Sequence, residues 1–176
     1  MFFSLTFFWT AYTVANLLFL VAIWGSKKWP RTTRLFFLLL FGWAAWFNAS
    51  MALISPSVYQ DYADTAIPLY RWFIMGPFVT IIRPMILVIA AGQALIAGSM
   101  LLKGELFKLG CWDGLVFGLA IAPLGLYAAF PSTVLMAIAF YRLQKNHDDT
   151  YLWETKNEKP GRRTNRKSLS TRHAAS

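Results

Sequence analysis

Five apolar stretches nearly free of charge divide this chain, at about residues 2–24, 35–55, 84–102, 109–126 and 130–143. In hydrocarbon a backbone has no water to bond, so a spanning segment must satisfy its own N–H and C=O groups, which a helix does locally. A hydrocarbon core of ~30 Å takes about 20 residues at ~1.5 Å each, and the first three stretches have that length. The expected fold is therefore all-α: an integral membrane helical bundle over residues 1–143, followed by a basic tail over 144–176.

Composition narrows what the charge can mean. Hydrophobic residues make up 57% of the chain and charged residues 14%, against roughly 25% charged in soluble domains. The net charge of +9 is thus read as a membrane-surface feature. Nine of the 17 Lys and Arg follow Tyr141, and four more lie between Lys27 and Arg34. Both clusters flank apolar spans, where cytoplasmic basic residues set topology and attract anionic lipid. The expected partners are the lipid bilayer, with anionic lipids at the tail, and no nucleic acid. The lone cysteine, Cys111, rules out an internal disulfide, and no Cys/His spacing suggests a metal.

Charge order also gives orientation. The start, Met1 to Thr6, has no basic residue, whereas Lys27 and Lys28 follow the first span. This favours a retained N-out helix over a cleaved signal peptide. Arg34 marks the inner end of the second span and Pro56 stops it. Residues 57–72, with Asp61, Asp64 and three tyrosines, read as an external loop. The ten apolar residues Phe73 to Ile82 are too short to cross and are expected in the interface, with Arg83-Pro84 opening the third span. A continuous helix from Phe73, burying Arg83, is the alternative. Lys103 to Lys108 reads as an inner turn.

Residues 109–142 allow one long helix, giving four crossings, or two helices, giving five. Pro123, Gly125 and Pro131 break the pattern where an outer turn would fall. The basic tail belongs inside. Five crossings, N-out and C-in, are therefore preferred, with a largely disordered cytoplasmic tail and a short interfacial helix over Asp148–Glu154. Multi-pass insertion in a bacterial inner membrane is the expected location.

Polar side chains inside spans are the site candidates, because lipid offers them no partner. Asn48 and Gln93 fall at a shared depth and can bond each other or a ligand; Arg83 is placed at the outer boundary. Asp113 is expected to pair with Lys103 or Lys108. Trp24, Trp29, Trp72 and Trp112 suit interfacial belts, while Trp43 and Trp46 lie deeper and can line a pocket. Small residues at Ala90, Ala94 and Gly98, and at Gly114, Gly118 and Ala122, have the four-residue spacing of close helix seams or of a homodimer face.

Several segments resemble one group of bacterial membrane proteins. These are Arg34-Leu-Phe-Phe-Leu-Leu-Leu-Phe-Gly-Trp-Ala-Ala-Trp-Phe-Asn48, the loop Pro56-Ser-Val-Tyr59 to Pro68-Leu-Tyr-Arg71, Ile89-Ala-Ala-Gly-Gln-Ala-Leu-Ile-Ala-Gly98, and Gly114-Leu-Val-Phe-Gly-Leu-Ala-Ile-Ala-Pro-Leu-Gly125 with Phe130-Pro-Ser. That group is loosely similar to the DoxX-type four-helix family. The resemblance covers about residues 34–142 and implies a four-helix bundle with both ends inside. Gln93 stands where such proteins often carry an acid.

No nucleophile–base pair or metal cluster is visible, so an enzyme is not expected. The leading expectation is a non-enzymatic accessory subunit or scaffold, contacting a membrane protein partner or a second copy through its helix seams and external loop. The alternative is a small-molecule or quinone-binding protein, a redox auxiliary or small transporter, using Asn48, Gln93 and Arg83. No cofactor is indicated.

Overall fold

Proline opens three of the helices, at the position where its missing N–H has no intrahelical partner to lose. The computed structural model describes residues 5–146 and 150–154. Its helices are α1 (Leu5–Lys28), α2 (Pro30–Ile54), α3 (Pro68–Met75), α4 (Pro77–Ser99), α5 (Gly104–Ile121) and α6 (Ser132–Lys145). Two 3-10 segments, Pro56–Asp64 and Ala122–Ala128, complete the order. Four segments, Thr6–Lys28, Pro30–Ile54, Pro77–Ser99 and Gly104–Ala128, are long and apolar enough to cross a membrane.

The described chain runs back and forth, so its connections gather at two ends. At one end lie the α1–α2 turn, the α4–α5 turn and residues 150–154. Leu152 N–H donates to the Leu101 carbonyl at 3.2 Å, and Lys103 Nζ sits 4.5 Å from the Tyr151 ring centroid. At the other end the two 3-10 segments interlock. Thr65 Oγ1 donates to the Leu124 carbonyl at 2.8 Å, and Ile67 N–H to the Pro123 carbonyl at 3.0 Å. Gly125 has φ +79, and a Cβ there would stand 2.1 Å from the Thr65 carbonyl oxygen, so the close approach needs glycine.

α6 is only 14 residues long, about 21 Å at 1.5 Å per residue. It packs mainly against α1 and α5 and touches α2. Its buried residues include Thr133, Met136, Phe140 and Leu143. Phe140 stacks on Phe37 with centroids 4.0 Å apart. α1 is tied to this hairpin at both ends, by Tyr12 Oη donating to the Phe130 carbonyl (2.7 Å) and Ser26 Oγ to the Ala139 carbonyl (3.0 Å). Large apolar side chains of α1, among them Trp9, Leu17 and Val21, are exposed. In hydrocarbon that face costs nothing, which is why a helix so little buried still fits.

Several expected boundaries move. α4 begins at Pro77 rather than Pro84, so Arg83 and Pro84 lie inside it. Gly76, at φ −115 and ψ −108, breaks the chain, and Pro77 takes the first helical position that the sequence reading gave to Pro84. Residues 73–82 are consequently split between α3 and α4, and the expected loop over 57–72 is built largely from the 3-10 segment Pro56–Asp64 and the start of α3. The inner turn at Lys103 to Lys108 is mostly the first turns of α5. Residues 150–154 form a turn and not a helix, closed by Tyr151 N–H donating to Glu154 Oε2 at 2.8 Å. The remainder of the tail, including its expected disorder beyond Glu158, lies outside the described residues.

The small-residue stripes separate. On α5, a Cβ at Gly114 would meet the Phe140 ring at 2.5 Å, and one at Gly118 the Thr133 carbonyl at 2.7 Å. That stripe is a true seam with α6, extended by Gly110 against Ser99. On α4 only Ala90 is buried; Ala94 is exposed and a Cβ on Gly98 would meet open space. The α4 stripe is therefore not a seam within this chain.

Candidate binding cavity

α2 and α4 share the most extensive helix contact, and an arginine closes each end of it. Arg34, 1% exposed, donates through Nε to the Met100 carbonyl (2.9 Å), through Nη1 to Thr150 (2.9 Å) and through Nη2 to Leu102. Its guanidinium also lies 4.6 Å from the Phe107 ring centroid. The last carbonyls of a helix lack intrahelical donors, and the planar five-donor fork of arginine suits several at once. At the opposite end Arg83 Nε donates to the Ala52 carbonyl in the last turn of α2, at 3.3 Å. Each arginine near one helix start thus caps the neighbouring helix end, where a positive charge also offsets the dipole.

Between these caps the packing divides into two clusters. One holds Phe37, Phe41, Met100, Phe107, Phe140 and neighbours. The other holds Ala52, Ala63, Ile74, Phe78 and Ile86, under the 56–64 segment. A cavity of about 650 Å³ lies between them, lined from α2, α4, α5 and α6, with Ala15 and Phe19 of α1. Tyr59, Tyr62, Tyr70 and Phe73 line its outer side. Tyr70 Oη donates to the Ala120 carbonyl at 2.9 Å, pinning α3 across the end of α5. None of the lining residues is charged.

A chain of side-chain hydrogen bonds forms one wall. Tyr59 Oη donates to Asn48 Oδ1 at 2.7 Å, and Asn48 Nδ2 donates to Gln93 Oε1 at 2.8 Å. The expected contact between the two amides is present. Tyr59, which the sequence reading left in a polar loop, is the third member. Gln93 is buried and lines the cavity; its amide nitrogen, at the end of the chain of donors, has no partner among the described residues. Burial, and after it the neighbouring Tyr62, pushes the Tyr59 hydroxyl up from 10.0 to about 12. Burial alone pushes Tyr62 up.

Other expected site residues fall elsewhere. Arg83 is exposed, lies ten residues before Gln93 on α4, and is not part of the cavity wall. The helix that starts at Pro77 carries it up to the Ala52 carbonyl instead. Asp113 is exposed and forms no ion pair among the described residues, because Lys108 pairs with Glu105 at 2.7 Å one turn earlier. Trp43 lines the cavity, whereas Trp46 faces outward. Thr133, which sequence reasoning passed over, is 4% exposed, lines the cavity and leaves its hydroxyl without a partner among the described residues. A lone threonine at a helix start carries no sequence signal of this. Among the described residues no group of His, Cys, Asp and Glu could hold a metal ion.

Comparison of the chain with protein-family models, with curated proteins and with solved structures found no match.

Proposed function

We propose that this chain is a five-crossing membrane protein, N-out and C-in, that binds a small lipophilic molecule in the cavity between α2, α4, α5 and α6. The observation that carries the reading is the cavity itself. A space of about 650 Å³ falls within the usual range of ligand sites, apolar with a few convergent polar groups. The space is about half open to its surroundings, so a lipophile can enter it without unpacking the bundle. The Tyr59–Asn48–Gln93 chain then fixes orientation, and three side chains held in one network lose little freedom when a ligand arrives.

Five crossings find support in the two ends of the fold. Lys27, Lys28, Arg31, Lys103, Lys108, Arg142 and Lys145 belong to one end, where residues 150–154 also dock. Asp61, Asp64, Arg71 and Arg83 belong to the other. By the positive-inside rule the first end is cytoplasmic. α2, α4, α5 and α6 then form a four-helix unit with both ends of that unit inside, the arrangement a DoxX-type kinship would require. We carry that kinship, and a bacterial inner membrane, as proposals.

Binding is preferred to the accessory-subunit reading because the cavity is a defined site with a hydrogen-bonded wall. Native mass spectrometry of the protein released gently with its own lipids separates the two. A bound small molecule at fixed ratio supports the binder. A co-purifying protein at fixed ratio, with no small molecule, overturns it.

A further inference from the structure

The cavity opens sideways, and the packing around it locates the mouth. Trp43 lines the cavity and is also 59% exposed, so it stands where the space meets the surroundings. On the α1 side the lining is Ala15 and Phe19. α1 and α2 meet close to the turn that joins them. Trp24 sits edge-on to Trp29 with centroids 4.6 Å apart, and Phe19 packs on Phe36 and Phe37 at 6.0 and 6.4 Å. α2 meets α6 at the same level, through Phe140 against Phe37 and Phe41 at 4.0 and 5.5 Å. Beyond Phe19, α1 follows α6, to which Tyr12 ties it through the Phe130 carbonyl, while α2 follows α4. Ala15 and Ala44 line the space left between the two helices.

The other approaches are closed. α2 lies along α4, and α6 along both α5 and α1, in extended contacts. Ala120 of α5 is an exposed lining residue too, but α3 lies across it, with Tyr70 Oη on its carbonyl at 2.9 Å. At the end away from the α1–α2 turn, Thr65 and Ile67 bond the carbonyls of Leu124 and Pro123, and Gly125 fits against Thr65. At the near end Phe37, Phe107, Phe140 and Leu143 are fully buried. A solute arriving from water at the far end has to break the bonds between the 3-10 segments. Parting α1 from α2 exchanges apolar contacts for lipid contacts that are equally apolar, and no hydrophobic force opposes it.

The mouth faces the middle of the bilayer. Ala15 lies ten residues into α1 and Ala44 ten residues before the end of α2. Both are about 15 Å from those ends at ~1.5 Å per residue, halfway through a ~30 Å hydrocarbon core. A charged head group reaches that level only at a large cost, whereas a long apolar chain is already there. Resting on the binding reading above, we infer that the occupant is a long-chain lipophile dissolved in the bilayer, which enters sideways between α1 and α2. Trp43, stacked on Phe47 with centroids 5.3 Å and planes 18° apart, forms the α2 edge of this doorway.

The test uses the full chain in nanodiscs and a long-chain alkyl diazirine, which on illumination labels whatever lies beside it. Ile86 and Ile89 line the cavity, whereas Val88 and Leu95 on the same helix are each 71% exposed and report probe in the surrounding bilayer. In a Cys111→Ser background, Ala11→Cys with Phe47→Cys puts one thiol on each helix, outside the cavity lining. A reducible bis-thiosulfonate linker bridges them, as intact mass confirms. Ile67→Cys with Leu126→Cys bridges the far end for comparison. The first bridge should slow both the labelling of Ile86 and Ile89 after probe is added and its loss on dilution into empty vesicles. The expected factor is about tenfold or more, which a barrier higher by ~1.4 kcal/mol already gives. Reductant should restore both rates, the second bridge should change neither, and Val88 and Leu95 should label alike throughout. A first bridge without effect, or a second bridge that slows entry, overturns the side route and leaves the binding reading standing. Slower loading without slower loss marks a weakened site, not a closed door, and overturns it as well. Val88 and Leu95 labelled while Ile86 and Ile89 never are, in the unbridged protein, overturns the binding reading itself.

Discussion

Replacing Arg34 tests whether a buried charge holds together the end of the bundle that carries the α1–α2 and α4–α5 turns. Its guanidinium donates to three carbonyls, of Met100, Leu102 and Thr150, and covers Phe107. Arg34→Met keeps much of the apolar volume and removes every donor. Hydrogen bonds from a charged donor contribute ~1.5–3 kcal/mol each, and three at the low end amount to ~4–5 kcal/mol. The single cysteine reports the effect without further engineering. Cys111 is 1% exposed, in the same cluster as Phe107 and Met100. If maleimide reaches it only after local opening, a loss of ~4 kcal/mol speeds labelling about 1,000-fold, at ~1.4 kcal/mol per tenfold. Arg34→Lys keeps the charge but not the fork, so its rate should lie between the two. A rate for Arg34→Met within threefold of the parent would refute the capping role.

Three further outcomes are expected. Burial holds the Tyr59 proton to about pH 12 against the ordinary 10.0; because the folded value is the higher one, the stabilisation is complete below pH 10 and is lost as pH rises towards 12. Tyrosinate absorbance should therefore show a late step that Tyr59→Phe removes, with Asn48 Oδ1 left without that donor. Glycine substitutions should split by site: Gly114→Ala puts a Cβ 2.5 Å from the Phe140 ring and should cost ~1–3 kcal/mol. Gly42→Ala meets nothing within 4 Å and should stabilise α2 by ~0.5–1 kcal/mol in thermal unfolding. Gln93→Leu should lower stability by roughly 0.6–2 kcal/mol through the lost interhelical bond to Asn48, measured by unfolding in mixed micelles.

Much of the bundle is legible in the sequence because membrane helices obey length and charge order. α1, α2 and α6 lie within a few residues of their expected positions, and Pro123 to Pro131 does mark the turn between α5 and α6. Asn48 and Gln93 can be brought together from their shared depth in two apolar spans, and they do bond each other. What the chain does not announce is anything set by tertiary contact. Pro77 and Pro84 are both valid helix starts, and only Gly76 decides between them. Arg34 and Arg83 look alike as boundary markers, yet one is buried under three carbonyls and the other exposed with a single bond. The spacing of Ala90, Ala94 and Gly98 equals that of Gly110, Gly114 and Gly118, but only the second set faces a ring and a carbonyl. Thr133 gains its interest from a void, and a void has no sequence pattern.

The cavity as a ligand site is the central claim, and filling it is the direct test. Ala44 on α2 lines it, so Ala44→Phe places a ring into open space without removing any hydrogen bond named above. Native mass spectra of the two proteins, released from the same membranes, decide the matter. The account predicts a small molecule bound to the parent and absent from a folded Ala44→Phe protein. The same adduct on both, or on neither, would contradict it.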